Sequence, residues 1–235
     1  MSKILEIKDL SKSYNNVGIL NNISFDIAPG TIVGLLGPNG SGKTTLIKII
    51  TGLINDYNGD VLVVNNKPGV IANRDISYLP DNNSHIPSWF TPTNAIKFFT
   101  DFYSDFDKEK AMQMLETMSI PLNKKLKTLS RGMREKVSLS LVMSRKAKLY
   151  ILDEPIGAVD PAARDFIINT IMNNFNKDSA IFLSTHIIAD IEPALDNVVF
   201  LKDGQILLQG NADTIREDKG KSLDSIFREV YKHVT

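Results

Sequence analysis

Residues 37–45, GPNGSGKTT, fill the pattern G-x-x-x-x-G-K-[ST] at every position. That pattern constrains the fold because it works only between a strand and a helix, and both flanks are legible. TIVGLLG (31–37) is a short apolar strand running into a glycine turn. KTTLIKIITG (43–52) carries apolar residues at helical spacing, with Gly52 placed just past its end. The glycines let backbone N–H groups turn inward around phosphate oxygens, and the helix start adds its positive dipole end. Gly37, Pro38, Asn39, Gly40, Ser41, Gly42, Lys43, Thr44 and Thr45 are therefore candidate contacts to a nucleotide. Lys43 reaches the outer phosphates, the Thr44 hydroxyl holds Mg²⁺, and Thr45 bonds an inner phosphate. The plain alternative is a glycine turn that only starts a helix.

The rest of the chain alternates strands and helices around one helical stretch. ILEIKDL (4–10), ISFDIAPG (23–30), DVLVV (60–64) and ISYLP (76–80) read as strands. From Thr91 to about Lys148 the pattern turns helical, with Thr91 as N-cap, Pro92 at the first helical position and a further helix starting near Ser130. KLYILDEP (148–155) is a buried parallel-type strand, DPAARDFIINTIMNNF (160–175) a helix, and AIFLSTH (180–186) another strand. VVFLKDGQILLQG (198–210) reads as a hairpin turning on Asp203-Gly204, and the polar tail beyond it as helical. We expect a single domain: residues 1–84 and 149–210 form an α/β core, 85–148 an inserted helical lobe, and 211–235 a helical tail.

Two further sites for chemistry lie at strand ends, where ligands of open α/β sheets bind. The apolar run of YILDEP delivers Asp153 and Glu154 to such an end. Asp153 is placed to hold Mg²⁺ through water and Glu154 to polarise an attacking water. Alone, the pair would read as a solvated acidic strand end before Pro155. LSTHII (183–188) puts His186 at the end of another strand, where by itself it would read as a buried or capping residue.

With these motifs in place, residues 4–210 resemble an ATP-binding-cassette (ABC) transporter ATPase subunit. The most specific element is LSRGM (129–133), similar to the family's signature at the head of a helix. The resemblance implies a P-loop NTPase (RecA-like) α/β core, an antiparallel β subdomain and an inserted α-helical subdomain. It implies that Ser130 and Gly132 bind the γ-phosphate of ATP held by an opposite subunit, although plain N-capping also explains Ser130. Tyr14, in KSYNN, matches the aromatic that stacks on adenine. Asp160, in GAVDP, matches the loop across which two subunits communicate, and His186 the histidine that bonds the γ-phosphate and orients water. The cofactors implied are ATP and Mg²⁺.

Four positions depart from the family pattern. Asp81 stands where a glutamine is usual, so it would reach Mg²⁺ only through water or sense the partner differently. Arg131 replaces a glycine and Met133 a glutamine in the signature, and Gly157 stands where a serine is common. LSRGM and an acid after YLP resemble the branch that works with small ABC-2-type permeases, often bacterial exporters.

Composition narrows the setting. Lys and Arg total 27 and Asp and Glu total 27, so bulk charge offers nothing to a nucleic acid, and none is expected as a partner. There is no cysteine for a disulfide or thiolate zinc site. MSKILEIKDL alternates charged and apolar residues, unlike a secretory signal, and no segment approaches the roughly 18 apolar residues of a membrane span. The expected setting is the cytoplasmic face of the cell membrane, reached through an ABC permease and shared with a second ATPase subunit, identical or paralogous. A soluble ABC ATPase acting on ribosomes or DNA is the second reading. Such relatives usually carry two cassettes or a long coiled-coil insertion, and neither occurs here.

Overall fold

The computed structural model describes residues 3–81, 86–157, 161–173 and 176–231. Six strands form the central sheet: β3 (Ile32–Leu36), β5 (Ile76–Leu79), β6 (Leu149–Asp153), β7 (Ala180–Thr185), β8 (Asn197–Lys202) and β9 (Gln205–Asn211). Their order is β5-β6-β7-β3-β8-β9, parallel throughout except for the antiparallel β8–β9 pair. Every residue of β3, β6 and β7 is buried, as expected of parallel strands covered on both faces. Alternation divides β6 between two cores: Leu149 and Ile151 join one apolar cluster, Tyr150 and Leu152 the other.

A second sheet lies over the first cluster. β1 (Leu5–Tyr14) and β2 (Val17–Ile27) form a hairpin, and β4 (Asn58–Val63) pairs with the far side of β1, all antiparallel. The hairpin turns on Asn15 and Asn16, both left-handed (φ 46° and 64°), the geometry a primed two-residue turn requires. From sequence the first strand stops at Leu10. Here it runs on to Tyr14, because pairing with β2 supplies partners for its polar second half.

Between the sheets lies α1 (Lys43–Ile50), with Leu46, Ile47, Ile49 and Ile50 buried. The helical stretch contains α2 (Pro92–Phe102), α3 (Lys108–Thr117) and α4 (Arg131–Met143). Thr91 caps α2 in a reciprocal box with Asn94, and Ser130 caps α4 through the N–H of Met133. These three helices share their own apolar cluster, which includes Phe99, Leu115, Leu129 and Leu141. Next come α5 (Pro161–Asn173), the one-turn α6 (Ile188–Ile191), which periodicity is too short to reveal, α7 (Ala212–Lys219) and α8 (Leu223–Tyr231). Among the described residues, no helix is long and apolar enough to cross a membrane.

One side chain ties the helical stretch to the central sheet. Arg145 is buried just past α4 and grips the Asp105 carboxylate with Nε and Nη2 at 3.1 Å each. Its fork also donates to the carbonyls of Ile76 and Arg74 beside β5, and its guanidinium lies 4.0 Å from the Tyr103 ring centre. Ser77 adds a bond from its hydroxyl to the Val142 carbonyl at 2.8 Å. A single ammonium cannot reproduce that planar fork. Arg145→Lys is therefore expected to cost about 2–4 kcal/mol in urea unfolding, by stranding buried acceptors. A loss below about 0.5 kcal/mol, the level of an ordinary surface change, would show that the fork fastens nothing.

Candidate nucleotide site

The phosphate loop begins where β3 ends and closes on the start of α1. Gly42 occupies the N-cap at φ 107°, a backbone region closed to ordinary L-residues, and no side chain caps the helix. Its first N–H groups are thereby left for an external anion. A Cβ on Gly37 would stand 2.4 Å from the Leu201 carbonyl oxygen and 2.6 Å from Ser41 Oγ, so only glycine lets the loop lie against β8. The hairpin turn between β8 and β9 supports the loop through the N–H of Gly204, which donates to the Ser41 carbonyl at 3.2 Å. Ser41 Oγ is buried without a hydrogen-bond partner inside this cradle. Such an orphan points to an absent ligand.

Lys43 is buried, and Nζ donates to the loop's own carbonyls, Gly37 at 2.7 Å and Pro38 at 3.1 Å. It also lies 3.6 Å from Glu154 Oε1. Burial lowers its pKa, while Glu154, Asp153 and Asp81 pull the other way. The ammonium thus sits over the loop in a dry, acid-lined space.

The acids come from the neighbouring strand. Asp153 ends β6 only 2% exposed and accepts from the Ser184 hydroxyl. Burial raises its pKa; the Ser184 bond opposes this, and Asp81 and Glu154 add to it by repulsion. Glu154 follows in a left-handed conformation, φ 50°. That turn is held by its N–H, which bonds both the carbonyl and the hydroxyl oxygen of Ser184 at 3.1 Å. Strained backbone of this kind persists where the surroundings over-determine it. It leaves Oε2 of Glu154 2.9 Å from His186 Nδ1 and Oε1 buried with no hydrogen bond. His186 itself is half-exposed just beyond β7. Asp81 is exposed and shares a small cleft with Glu135, Asp153 and Glu154.

The structure therefore gathers Lys43, Asp153, Glu154 and His186, with Asp81 at the margin. It does not gather Ser130 and Gly132 with them: the hydrogen bonds of Ser130 stay within the start of α4. Gly132 faces open space, since a Cβ there would meet nothing within 4 Å. Tyr14 is 44% exposed at the end of β1. Asp160, like His85 and His233, lies outside the described residues.

The sequence profile of the ABC transporter family matches residues 20–157, a span that holds both the phosphate loop and LSRGM. The chain belongs to that family. It is an ABC transporter ATP-binding domain with a P-loop NTPase fold. Similar proteins of Bacillus subtilis (strain 168) include YxlF, an uncharacterized ABC transporter ATP-binding protein, 33% identical over 92% of this chain and 74% of that one. Another is SkfE, the SkfA peptide export ATP-binding protein, 31% identical over 87% of this chain and 88% of that one. A solved ATP-binding subunit of an ABC transporter superposes with a TM-score of 0.85 at 28% identity, covering 96% of this chain and 98% of that one. As an ABC domain the chain binds ATP, and ATPase activity goes with the family.

Several supporting residues escaped the sequence. Ser184 holds the Asp153 carboxylate and the Glu154 backbone N–H, but only the pairing of Asp153 with Ser184 across β6 and β7 reveals it. The Tyr231 hydroxyl donates to the Leu201 carbonyl at 2.9 Å and lies 3.4 Å from that of Leu36, bracing the root of the phosphate loop from α8. Glu135 is buried, with Oε1 on Arg131 Nε at 3.2 Å, Oε2 unpartnered and its pKa raised by burial.

The buried charge of Asp153 gives a test. Because its native pKa lies above the ordinary 3.8, the ionised form costs stability at neutral pH, and the cost shrinks as pH falls from the raised value toward 3.8. Asp153→Asn keeps an acceptor for Ser184 and is expected to stabilise the chain without nucleotide at pH 7. Thermal unfolding of both proteins from pH 7 down to 4 should show that advantage shrinking. A variant less stable than wild type at pH 7 would contradict it.

Proposed function

We propose that this domain hydrolyses ATP as one of two subunits that clamp two nucleotides between them. The reaction drives transport, in the export direction, through a separate membrane permease. The observation that carries the hydrolytic part is the Lys43–Glu154–His186 line, in which Glu154 offers a buried, unbonded oxygen beside the phosphate loop. The adenine stacks on Tyr14, and the triphosphate takes the N–H groups of residues 37–45. Lys43 leaves its carbonyls for the outer phosphates.

Thr44 and, through water, Asp153 and Asp81 are the oxygen donors offered to Mg²⁺. Among the described residues no three His, Asp or Glu side chains form a cage. Mg²⁺ keeps several waters and shares phosphate oxygens. Bound there, Mg²⁺ neutralises charge developing on the transferred phosphoryl group. Glu154 polarises the water aimed at the γ-phosphorus, and His186 holds Glu154 and orients that water. Ser130 and Gly132 serve the partner's ATP, in keeping with the exposure of Ser130 and the open space beside Gly132. Asp160 belongs to the contact between subunits.

The helical stretch offers a face for the permease. Trp89, Phe98 and Phe102 are exposed there, Phe98 and Phe102 stacked at 5.8 Å, beside a cavity of about 370 Å³ that Leu53, Phe99 and Tyr103 also line. Contiguous exposed apolar surface of this kind marks an interaction site. Docking there places the protein on the cytoplasmic face of the membrane. The name of SkfE, a peptide export protein, supports the export direction. The core, the helical lobe (85–148) and the tail (211–235) act as parts of one domain.

Glu154→Gln tests the hydrolytic centre. It preserves size but removes charge and proton-accepting ability, so steady-state turnover should fall about 10²–10⁴-fold. ATP affinity should hold or rise, because a negative charge near the triphosphate is gone. With ATP and Mg²⁺ the variant should elute as a dimer in size-exclusion chromatography. His186→Ala should slow turnover less. Near-normal turnover in Glu154→Gln would make Asp81 the next candidate.

Trp89→Ala and Phe102→Ala test the docking face. Both side chains are exposed, so each variant should fold and bind ATP while copurifying poorly with the co-encoded permease. A large loss of thermal stability would instead make that aromatic part of the core.

A further inference from the structure

Lys12 is only 5% exposed, an unusual place for an ammonium. Its salt bridge does not explain the burial. Asp56 Oδ2 lies 3.0 Å from Nζ, but that carboxylate is fully exposed, and such pairs contribute little. The other neighbour is the ring of Tyr14, whose centre is 4.6 Å from Nζ. The two residues sit two apart on β1, so both side chains leave the same face of the strand. Register with β2 slips between Lys12 and Ser13.

The hairpin end is anchored to that loop. Lys12 pairs in register with Leu20, and a Cβ on Gly42 would stand 2.8 Å from Leu20 Cδ2 and 3.1 Å from the Ile19 carbonyl oxygen. A nucleotide with its phosphates in the loop therefore brings its base to this hairpin. The ammonium lies over one ring face, and Tyr14 remains 44% exposed.

We propose that Lys12 is a positioning residue for the nucleotide base: its ammonium fixes one face of the Tyr14 ring so that the other is a ready platform for adenine. The inference rests on the reading of Tyr14 as the adenine platform. An unsupported exposed tyrosine would lose rotamer freedom when a base stacked on it. Here the cation holds the ring beforehand, through its attraction to the negative ring face. Asp56 bonds the ammonium from the solvent side. The effect belongs to the base alone, since the Lys12 ammonium contacts Asp56 and the Tyr14 ring.

The test uses the full chain with two probes, ADP and inorganic pyrophosphate, measured by calorimetry. Lys12→Met replaces a buried ammonium with an unbranched apolar chain of similar length, and the fully exposed Asp56 carboxylate stays solvated without its partner. The variant should weaken ADP about 3- to 10-fold, the range of a part-buried cation–ring contact. Pyrophosphate affinity should not change, and Lys12→Arg, which keeps a cation on the ring, should restore ADP binding to within about twofold. In a Tyr14→Ala background, Lys12→Met should cause no further loss. Unaltered ADP affinity in Lys12→Met overturns the inference. So does an equal loss for pyrophosphate, or the same loss without the Tyr14 ring. The underlying reading is judged separately: if Tyr14→Ala alone binds ADP as wild type does, Tyr14 is not the platform, and the inference falls with it.

Discussion

Register among β3, β6 and β7 is the constraint on which the nucleotide site depends. Leu36 pairs with Thr185 and Asp153 with Ser184, so the three strands finish on one line. The phosphate loop leaves from the first, the acids from the second, and His186 from the third. A slip of one residue would turn Asp153 to the opposite face and separate it from Ser184. The fully apolar strand interiors prevent such a slip, because their alternate residues are committed to two different cores. Packing far from the chemistry thereby sets the geometry of the chemistry.

Electrostatics then acts on that line of strand ends. Lys43 and Asp153 are both buried, and burial opposes the charge of each. Their opposite signs offset part of the cost, and Glu154 helps Lys43 while repelling Asp153. Ser41 Oγ and Glu154 Oε1 remain without hydrogen bonds. A site in this condition gains by taking up a polyanion and a cation together. Backbone shapes the cradle, through the glycine close approach at Gly37 and the support from the β8–β9 turn, so little ordering is left for binding to supply.

The signature segment shows a different economy. Ser130 fulfils a local duty as the cap of α4, and Gly132 looks onto open space. Neither faces the chain's own phosphate loop, which accords with the proposed exchange of these segments between two subunits. Arg145 relates that segment to the central sheet through a single buried fork, while Trp89, Phe98 and Phe102 stay outside. In the proposed cycle the same helical stretch would meet ATP at one end and a permease at its aromatic face.

Much was legible from the chain alone, for reasons local to it. GPNGSGKTT between an apolar strand and a helix specified the phosphate loop, because glycine backbone freedom and helix polarity depend on few neighbours. Thr91-Pro92, Ser130 and Asp203-Gly204 marked their caps and turn for the same reason, and YILDEP placed two acids at a strand end. The sequence could not show that Ser184 holds the Asp153 carboxylate and the Glu154 backbone N–H, that Glu154 reaches back to Lys43 and His186, or that β1 continues to Tyr14. It also could not show that Lys12 lies under that ring or that Tyr231 braces the loop from 195 residues away. Those relations are fixed by strand order and by which face each residue turns inward. Motifs record what a short stretch of backbone can do; pairing across the sheet decides which distant side chains share its dry space.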